Sequence, residues 1–441
     1  LRRDRALWAL AITLSFALLI APAAWNGFPL LQYDTGGYLA RWYEPILVPS
    51  RAVVYGLILK AGEPLAFWPV VALQAALTTW VIALVLRVHG LLRPRVLLVI
   101  IAALSVATTL PWLTAILLTD IFCGLGVLAL YLLLMRTSAL TRAERIGLML
   151  LIAVSVATHS ATLAVLLALY LAVAALCLIG IRAPGLDRGA LALVLGAAMV
   201  FLANYAVARQ FTWTPGGFAL SFGRMLQDGI VKKYLDEHCP DPALRLCAVK
   251  NELPDDADVW FWGSPLFDKL GRFAGLNDEM QTIALACLAE YPALEMKTAA
   301  IATARQLIGV HSGEGVTNRI YHTYAIIDRY VPQLSPALHA ARQQRGEISF
   351  AAINRLHYPV ALVALALMPF IAIVALRRRR DIGELAAAVS VAILANAFVC
   401  GALSNPHDRY GARVVWLAVL VCLLALARRG DTRLGDAKKF P

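Results

Sequence analysis

Four polar stretches interrupt the long apolar runs of this chain, and each carries a side chain able to do chemistry. Asp34 lies in Gln32-Tyr33-Asp34-Thr35-Gly36-Gly37-Tyr38, directly after the apolar run Ala6 to Trp25. Asp120 lies in Leu117-Leu118-Thr119-Asp120-Ile121-Phe122, His159 stands between Thr158 and Ser160, and Asp408-Arg409-Tyr410-Gly411-Ala412-Arg413 opens the last apolar run. A carboxylate aligned with a hydroxyl can take its proton in a transfer reaction. Arg409 and Arg413, four residues apart, project to one side of a helix, and the guanidinium fork matches phosphate oxygens. Arg51, after Pro49-Ser50, is a further cation of the same kind, and His159 is suited to an acceptor or a phosphate. Each has a plainer reading as well: an N-cap or solvated loop residue for Asp34, a snorkelling carboxylate for Asp120, a satisfied interfacial histidine, and an Asp-Arg interfacial anchor. Asp120 is the costliest to leave unpartnered, at ~2.5 to 3.5 kcal/mol for an ionisable group central in a span and less near an end, so Arg51 or Arg409 is expected beside it.

The elements that must position these residues are membrane helices. The 441 residues are 60% hydrophobic and 15% charged, the mean hydropathy is +0.70, and apolar runs near the ~20-residue spanning length recur along the chain. The net charge of +12 sits at the ends of those runs, as the positive-inside rule describes, and does not form an aromatic-interleaved patch, which excludes nucleic acid as a partner. The first run, after Leu1-Arg2-Arg3-Asp4-Arg5, is too long for a signal h-region and is expected to be a retained anchor. Further spans are expected at Leu65 to Arg87, Val96 to Trp112, Leu113 to Leu134, Ile146 to Thr158 (short, tilted or re-entrant), Thr162 to Ile181, Ala190 to Ala208, Leu356 to Leu376, Leu385 to Leu403 and Val414 to Ala427. The basic stretches Arg87 to Arg95, Arg136 to Arg145, Arg182 to Arg188, Arg377 to Arg380 and Arg428-Arg429 then fall on the cytoplasmic side. The expectation is an all-α polytopic membrane protein of about ten transmembrane helices: residues 1–208 forming about seven, 209–355 an extracytoplasmic domain that is mainly helical, 356–430 about three, and 431–441 a cytoplasmic tail. Both termini are cytoplasmic in this topology, and Asp34, Asp120, His159 and Arg409 meet at the opposite face.

The loop Asn26 to Glu63 mixes Phe28, Tyr33, Tyr38, Trp42, Tyr43 and Tyr55 with charges, which fits two amphipathic interfacial helices or an ordinary aromatic belt. In the large segment, Arg224 to His238, Asn277 to Leu294 and Ala299 to Ile308 read as helices, Asp255-Asp256-Ala257-Asp258 as a solvated turn, and Tyr321 to Tyr330 as either a sugar-site lining or a packed helix surface. Cys239 and Cys247 flank a proline-rich turn in an oxidising compartment, so a disulfide is predicted, worth roughly 2 to 3 kcal/mol in the chain-entropy model. Cys123, Cys177, Cys287, Cys400 and Cys422 read as small buried thiols, and no Cys/His metal spacing occurs.

An acidic residue in a first outer loop built from two interfacial helices, a second near the outer end of a middle helix, and Arg-Tyr at the start of a late helix form a pattern that resembles the C-type glycosyltransferase superfamily. These are membrane enzymes that use polyprenyl-phosphate sugars, among them the lipid A aminoarabinose transferases and protein O-mannosyltransferases. Asp34, Asp120 and Arg409-Tyr410 match those positions. The chain departs from the pattern in having one acidic residue in the first loop where a pair is frequent, and Gly411-Ala412-Arg413 where many members have Leu-Leu-Pro. The resemblance implies transfer of a hexosyl or pentosyl group from a polyprenyl-phosphate sugar donor to an envelope glycan, lipid or protein acceptor at the bacterial inner membrane, the large domain lying in the periplasm or outside. It also implies Asp34 as base, Arg51, Arg409 and Arg413 on the lipid phosphate, Asp120 in a supporting catalytic role, and an optional divalent ion, magnesium or manganese. A transporter or flippase for a lipid-linked sugar or other amphiphile would use the same charges for binding, although no internal repeat or pair of broken helices is visible. A scaffold subunit would tolerate their replacement, and a polysaccharide polymerase or ligase would use the arginines for a lipid pyrophosphate.

Overall fold

A computed structural model describes residues 2–378 and 381–437 of the protein, with side chains for 4–378 and 381–428. Arg379, Arg380, the Arg429 side chain and the end of the expected tail, 438–441, lie outside the described residues. The first apolar run forms α1 (Arg2–Asn26). The following loop folds into α2 (Thr35–Tyr43) and α3 (Val53–Gly62), two helices as expected. They do not lie as a belt on the surface, however: Tyr38 and Tyr55 are enclosed, while Tyr33 and Trp42 remain exposed. The reason is close backbone packing. A Cβ on Gly56 would stand 2.4 Å from the Tyr38 carbonyl oxygen, so glycine is what lets α3 meet α2.

Ala66 and Phe67, at φ 51° and 64°, take the uncommon left-handed conformation that turns the chain into α4 (Trp68–Val88). The next two spans differ from expectation. They do not abut at Trp112: α5 (Pro94–Ala107) ends early, α6 (Leu110–Ala115) is a single short turn region, and α7 (Asp120–Met135) starts only after an extended stretch. Pro111 and the Thr108-Thr109 pair break the helix. Backbone groups freed at such a break need partners where water is scarce, and they have them. Gln74 Nε2 of α4 donates to the Thr114 and Ile116 carbonyls at 3.0 Å each, Leu30 N–H donates to the Ala115 carbonyl at 3.0 Å, and Leu117 N–H donates to the Leu30 carbonyl at 2.9 Å.

α8 (Arg142–Thr158) starts four residues before the expected point because Thr141 and Glu144 form a reciprocal capping box. α9 (Ser160–Leu178) and α10 (Leu186–Ala208) complete the first half. The large segment carries α11 (Ala219–Gln227), α12 (Ile230–His238), α13 (Pro265–Lys269) and α14 (Arg272–Glu290), which enclose their own core of Phe222, Trp260, Phe261, Phe267, Met280 and Cys287. The predicted disulfide joins Cys239 to Cys247 within this subdomain. Among the other cysteines, Cys123, Cys287 and Cys400 are buried, and Cys177 and Cys422 are partly so. α15 (Pro292–Ile308) then lies against a later span, α16 (Tyr321–Tyr330) packs on the first loop, and α17 (Ser335–Ala340) packs beside α16. The closing helices are α18 (Ala351–Arg377), α19 (Asp381–Ala402) and α20 (Asp408–Ala437), the last continuing ten residues past the expected end.

Seven of these helices, α1, α4, α9, α10, α18, α19 and α20, are long and apolar enough to cross a membrane. In α4, α19 and α20 61–67% of the most apolar window is buried, against 22–28% in the other four, so the first three form the centre and the rest face outward. The basic end of the bundle is tied by ion pairs of Arg136 with Glu384 at 2.7 Å, Arg428 with Asp381 at 3.2 Å and Arg87 with Glu144 at 2.6 Å. The other end is where the loops meet, and Gln343 secures it: its Oε1 accepts from Leu31 N–H at 2.9 Å and its Nε2 donates to the Leu31 carbonyl at 2.6 Å. Gln343→Ala would leave two buried backbone groups unpaired, so a loss of about 2–4 kcal/mol is expected. Thermal unfolding of the detergent-solubilised protein checks this, with Gln333→Ala, at an exposed position, as the control.

Candidate active site

The turn before α2 fixes Asp34. Gln32 Oε1 accepts the Asp34 N–H at 2.8 Å, while Thr35 Oγ1 accepts from Gln32 N–H at 3.0 Å and donates to the Leu117 carbonyl at 2.9 Å. Asp34 is thereby anchored to the break before α7. From the other side, Thr323 of α16 accepts the Gly36 N–H at 3.0 Å, and a Cβ at Gly36 would stand 2.6 Å from Thr323 Cα. α16 therefore packs through Thr323, Ile326 and Ile327, while Tyr321, His322, Asp328 and Arg329 stay exposed. Its Tyr330 stacks on Tyr43 and its Tyr324 hydroxyl donates to the Asn318 carbonyl at 2.7 Å.

Two guanidiniums close on the Asp34 carboxylate. Arg51 Nη2 donates to Oδ1 at 2.5 Å and Arg409 Nη1 faces Oδ2 at 2.9 Å. Arg409 also lies 4.8 Å from the centre of the Tyr410 ring, and Arg51 5.7 Å from that of Tyr38. One turn further along α20, Arg413 is fully enclosed. Its Nε and Nη2 both donate to Asn396 Oδ1, at 3.0 and 2.8 Å, and its Nη1 faces Asp120 Oδ1 at 3.6 Å without a hydrogen bond. Arg413 is thus the partner of Asp120, where Arg51 or Arg409 was expected; α20 stacks the two arginines in layers, and the upper one reaches Asp34. Asn396 in turn donates to the Tyr410 carbonyl at 2.7 Å.

These contacts gather Asp34, Arg51, Arg409 and Tyr410 in one layer and Asp120 with Arg413 in a layer beneath. Three guanidiniums against two carboxylates leave one positive charge. His159 stands close enough to feel Asp34, Arg409 and Arg413, and burial together with the two arginines holds its imidazole well below the usual histidine range. Its Nδ1 is enclosed without a hydrogen-bond partner. Burial by itself would raise the Asp34 carboxyl, but Arg51 and Arg409 outweigh it and hold it down at about 2.

Beside this site, and sharing Arg51 and His159 with it, lies a small open cleft. Its lining is mixed: Val53 and Val54 of α3, Val156 of α8 and Val200 of α10 stand among Ser50, Ser160, Asn204 and Thr214. Trp213 stands at its rim, its Nε1 donating to Ser160 Oγ at 2.9 Å.

A divalent ion does not fit these residues. Both Asp34 oxygens already face guanidiniums, whose charge repels a cation, and among the described residues no group of three or more His, Cys, Asp or Glu side chains converges. Sequence reasoning missed Asn396 and Gln74. A lone amide inside an apolar run was the readable signal for both, since a membrane helix seldom carries one without a buried partner.

Because the Asp34 carboxyl is held below its unfolded value, its contribution to stability is fully present above about pH 4 and is lost as the pH falls through about 2. Asp34→Ala strands two partly buried cations, so a loss of about 3–5 kcal/mol is expected. In a double-mutant cycle with Arg409→Ala the two losses should be markedly non-additive. Unfolding midpoints of the single and double variants at pH 7 check this.

Comparison with family models, with curated proteins and with solved structures gives no match for this chain.

Proposed function

We propose that the protein is a membrane glycosyltransferase that moves a sugar from a polyprenyl-phosphate donor to a hydroxyl of an envelope glycan, lipid or protein. The observation that carries this reading is the pair of guanidiniums closing on one carboxylate. Arg51 and Arg409 suit an anion at a fixed depth, and the valines beside Arg51 in the neighbouring cleft offer an apolar edge to a chain attached to it. In this reading α5, α7 and α8 span beside the seven longer helices. Both termini are cytoplasmic, and Asp34 lies on the extracytoplasmic side of a bacterial inner membrane.

In the resting state the Asp34 carboxylate takes the place of the donor phosphate. The donor phosphate, a diester with one negative charge and two free oxygens, competes for both guanidiniums and gains further charge only as the sugar leaves. As they turn to it, Asp34 loses the contacts that hold its acidity high and becomes a better base. The acceptor oxygen then attacks the anomeric carbon, its proton passes to Asp34, and the bond from that carbon to the phosphate oxygen breaks with its electron pair going to the phosphate. Arg51 and Arg409 stabilise the charge that develops there. Direct displacement inverts the anomeric configuration. Arg413 and Asp120 are too enclosed to touch substrate and support Arg409 from below.

The test is transfer from a panel of radiolabelled polyprenyl-phosphate sugars by the protein reconstituted in nanodiscs with envelope lipid, glycan and protein acceptors. Asp34→Asn and Arg409→Ala, each shown to be folded, are expected to lower kcat/KM by at least about 100-fold. Full activity in both variants would remove the assignment, and donor movement across the bilayer without any transfer would make the protein a transporter.

A further inference from the structure

A second charged cluster lies outside the Asp34 site, around Glu314. Its Oε1 accepts from His407 Nδ1 at 2.8 Å and its Oε2 accepts the backbone N–H of Arg409 at 2.7 Å. The other ring nitrogen of His407 faces Asp258 Oδ2 at 3.3 Å, so Asp258, half-exposed in the solvated turn expected there, also tethers the 219–291 subdomain. Gln306 of α15 brackets the His407 backbone, accepting its N–H at 2.9 Å and donating to its carbonyl at 2.8 Å. Asp408 Oδ1 accepts the His311 N–H at 3.0 Å. α20 begins at Asp408, so the Arg409 N–H is one of the helix's unpaired first donors, and a carboxylate there both satisfies it and suits the positive helix end.

We propose that Glu314 is a positioning residue for Arg409, and that protonated His407, bridging Glu314 and Asp258, locks the first turn of α20 to the 219–291 subdomain. The functional consequence rests on the transferase reading. An error near 1 Å in a charged group at a reacting centre can cost on the order of 100-fold, and Arg409 reaches Asp34 from the turn that Glu314 holds.

The clamp has a pH window. Burial works against a charged His407, but Asp258 and Glu314 outweigh it and raise the imidazole to about 9. Burial likewise opposes the charged Glu314, and His407 with the Arg409 N–H brings it below its ordinary value. The groups facing His407 are Glu314, Asp258, Gln306 and, from α20, Arg409 and the Tyr410 ring. With its folded value raised, His407 contributes fully below about pH 6.5, and that contribution is lost as the pH rises through about 9.

The experiment uses the full chain in nanodiscs and two readouts. The first is the titration of His407 by NMR of ring-labelled histidine, assigned with His407→Asn. The second is binding of farnesyl phosphate between pH 6 and 10. Wild type is expected to titrate His407 near 9 and to lose farnesyl phosphate affinity at least tenfold over the same step. Glu314→Ala is expected to lose that affinity already at pH 7. Glu314→Gln, which keeps an acceptor for the Arg409 N–H, should retain neutral affinity while the His407 titration moves toward 6.5. An unmoved His407 titration in Glu314→Gln, or wild-type affinity and pH step in Glu314→Ala while Arg409→Ala abolishes binding, overturns the proposal. If wild type does not bind farnesyl phosphate, or Arg409→Ala binds as well as wild type, the transferase reading fails, and the His407 titration still decides whether the clamp exists.

Discussion

The arrangement depends on one constraint: an arginine enclosed at the end of a helix bundle must face acceptors on every side or it will not stay enclosed. Arg413 is fully buried, and it is met by Asn396 and Asp120. Arg409, a turn away, is met by Asp34. Satisfying Arg413 requires α19 to present Asn396 and α7 to present Asp120. Satisfying Arg409 requires the first loop to fold inward. Four separate parts of the chain are thus drawn together by two guanidiniums. Ion pairs of this kind carry a desolvation cost that often offsets their attraction, so their value here lies in register: α20 can slide or rotate only by leaving a charge unpaired.

The same logic explains the break between α5 and α7. A continuous span would carry Asp120 in mid-helix; ending the helix at Ala107 and restarting at Asp120 sets that carboxylate at a helix N-terminus, where the peptide dipoles favour a negative charge. The freed backbone is taken up by Gln74 and Leu30. Because Leu30 belongs to the first loop, the repair of the break and the placement of Asp34 are one event. Thr35, which bonds both Gln32 and Leu117, joins them directly.

Much of this could be read from residue types. Charges are conspicuous in an apolar chain, so Asp34, Asp120, Arg51, Arg409 and Arg413 stood out, and counting basic loops brought them to one end. The helices of the first loop were legible from Pro49-Ser50 and the mixed aromatic pattern. What could not be read was pairing. Asp120 could take any of several arginines by sequence, and only the stacking of Arg409 over Arg413 on α20 decides which reaches it. The burial of Tyr38 and Tyr55 was equally hidden, because it follows from a glycine contact, Gly56 on the Tyr38 carbonyl, that leaves no periodic trace. Glu314 carried no sequence signal, since its role is to meet a backbone N–H, and backbone partners have no sequence signature.

A site held this firmly must also yield if it is to act on an anion. Asp34 faces two guanidiniums, yet it remains partly exposed, whereas Arg413 does not. The difference sorts the cluster into a part that can exchange partners and a part that cannot. Arg51 lies in the loop just before α3, next to the cleft, and Arg409 on the first turn of α20, so both can turn from one acceptor to another while Arg413, Asn396 and Asp120 hold the layer beneath unchanged. Excess positive charge then favours an incoming anion without any new element being built, since the cluster carries one cation more than it can neutralise itself. The fixed lower layer keeps that excess from being relieved by local collapse, because its own charges are already committed to one another.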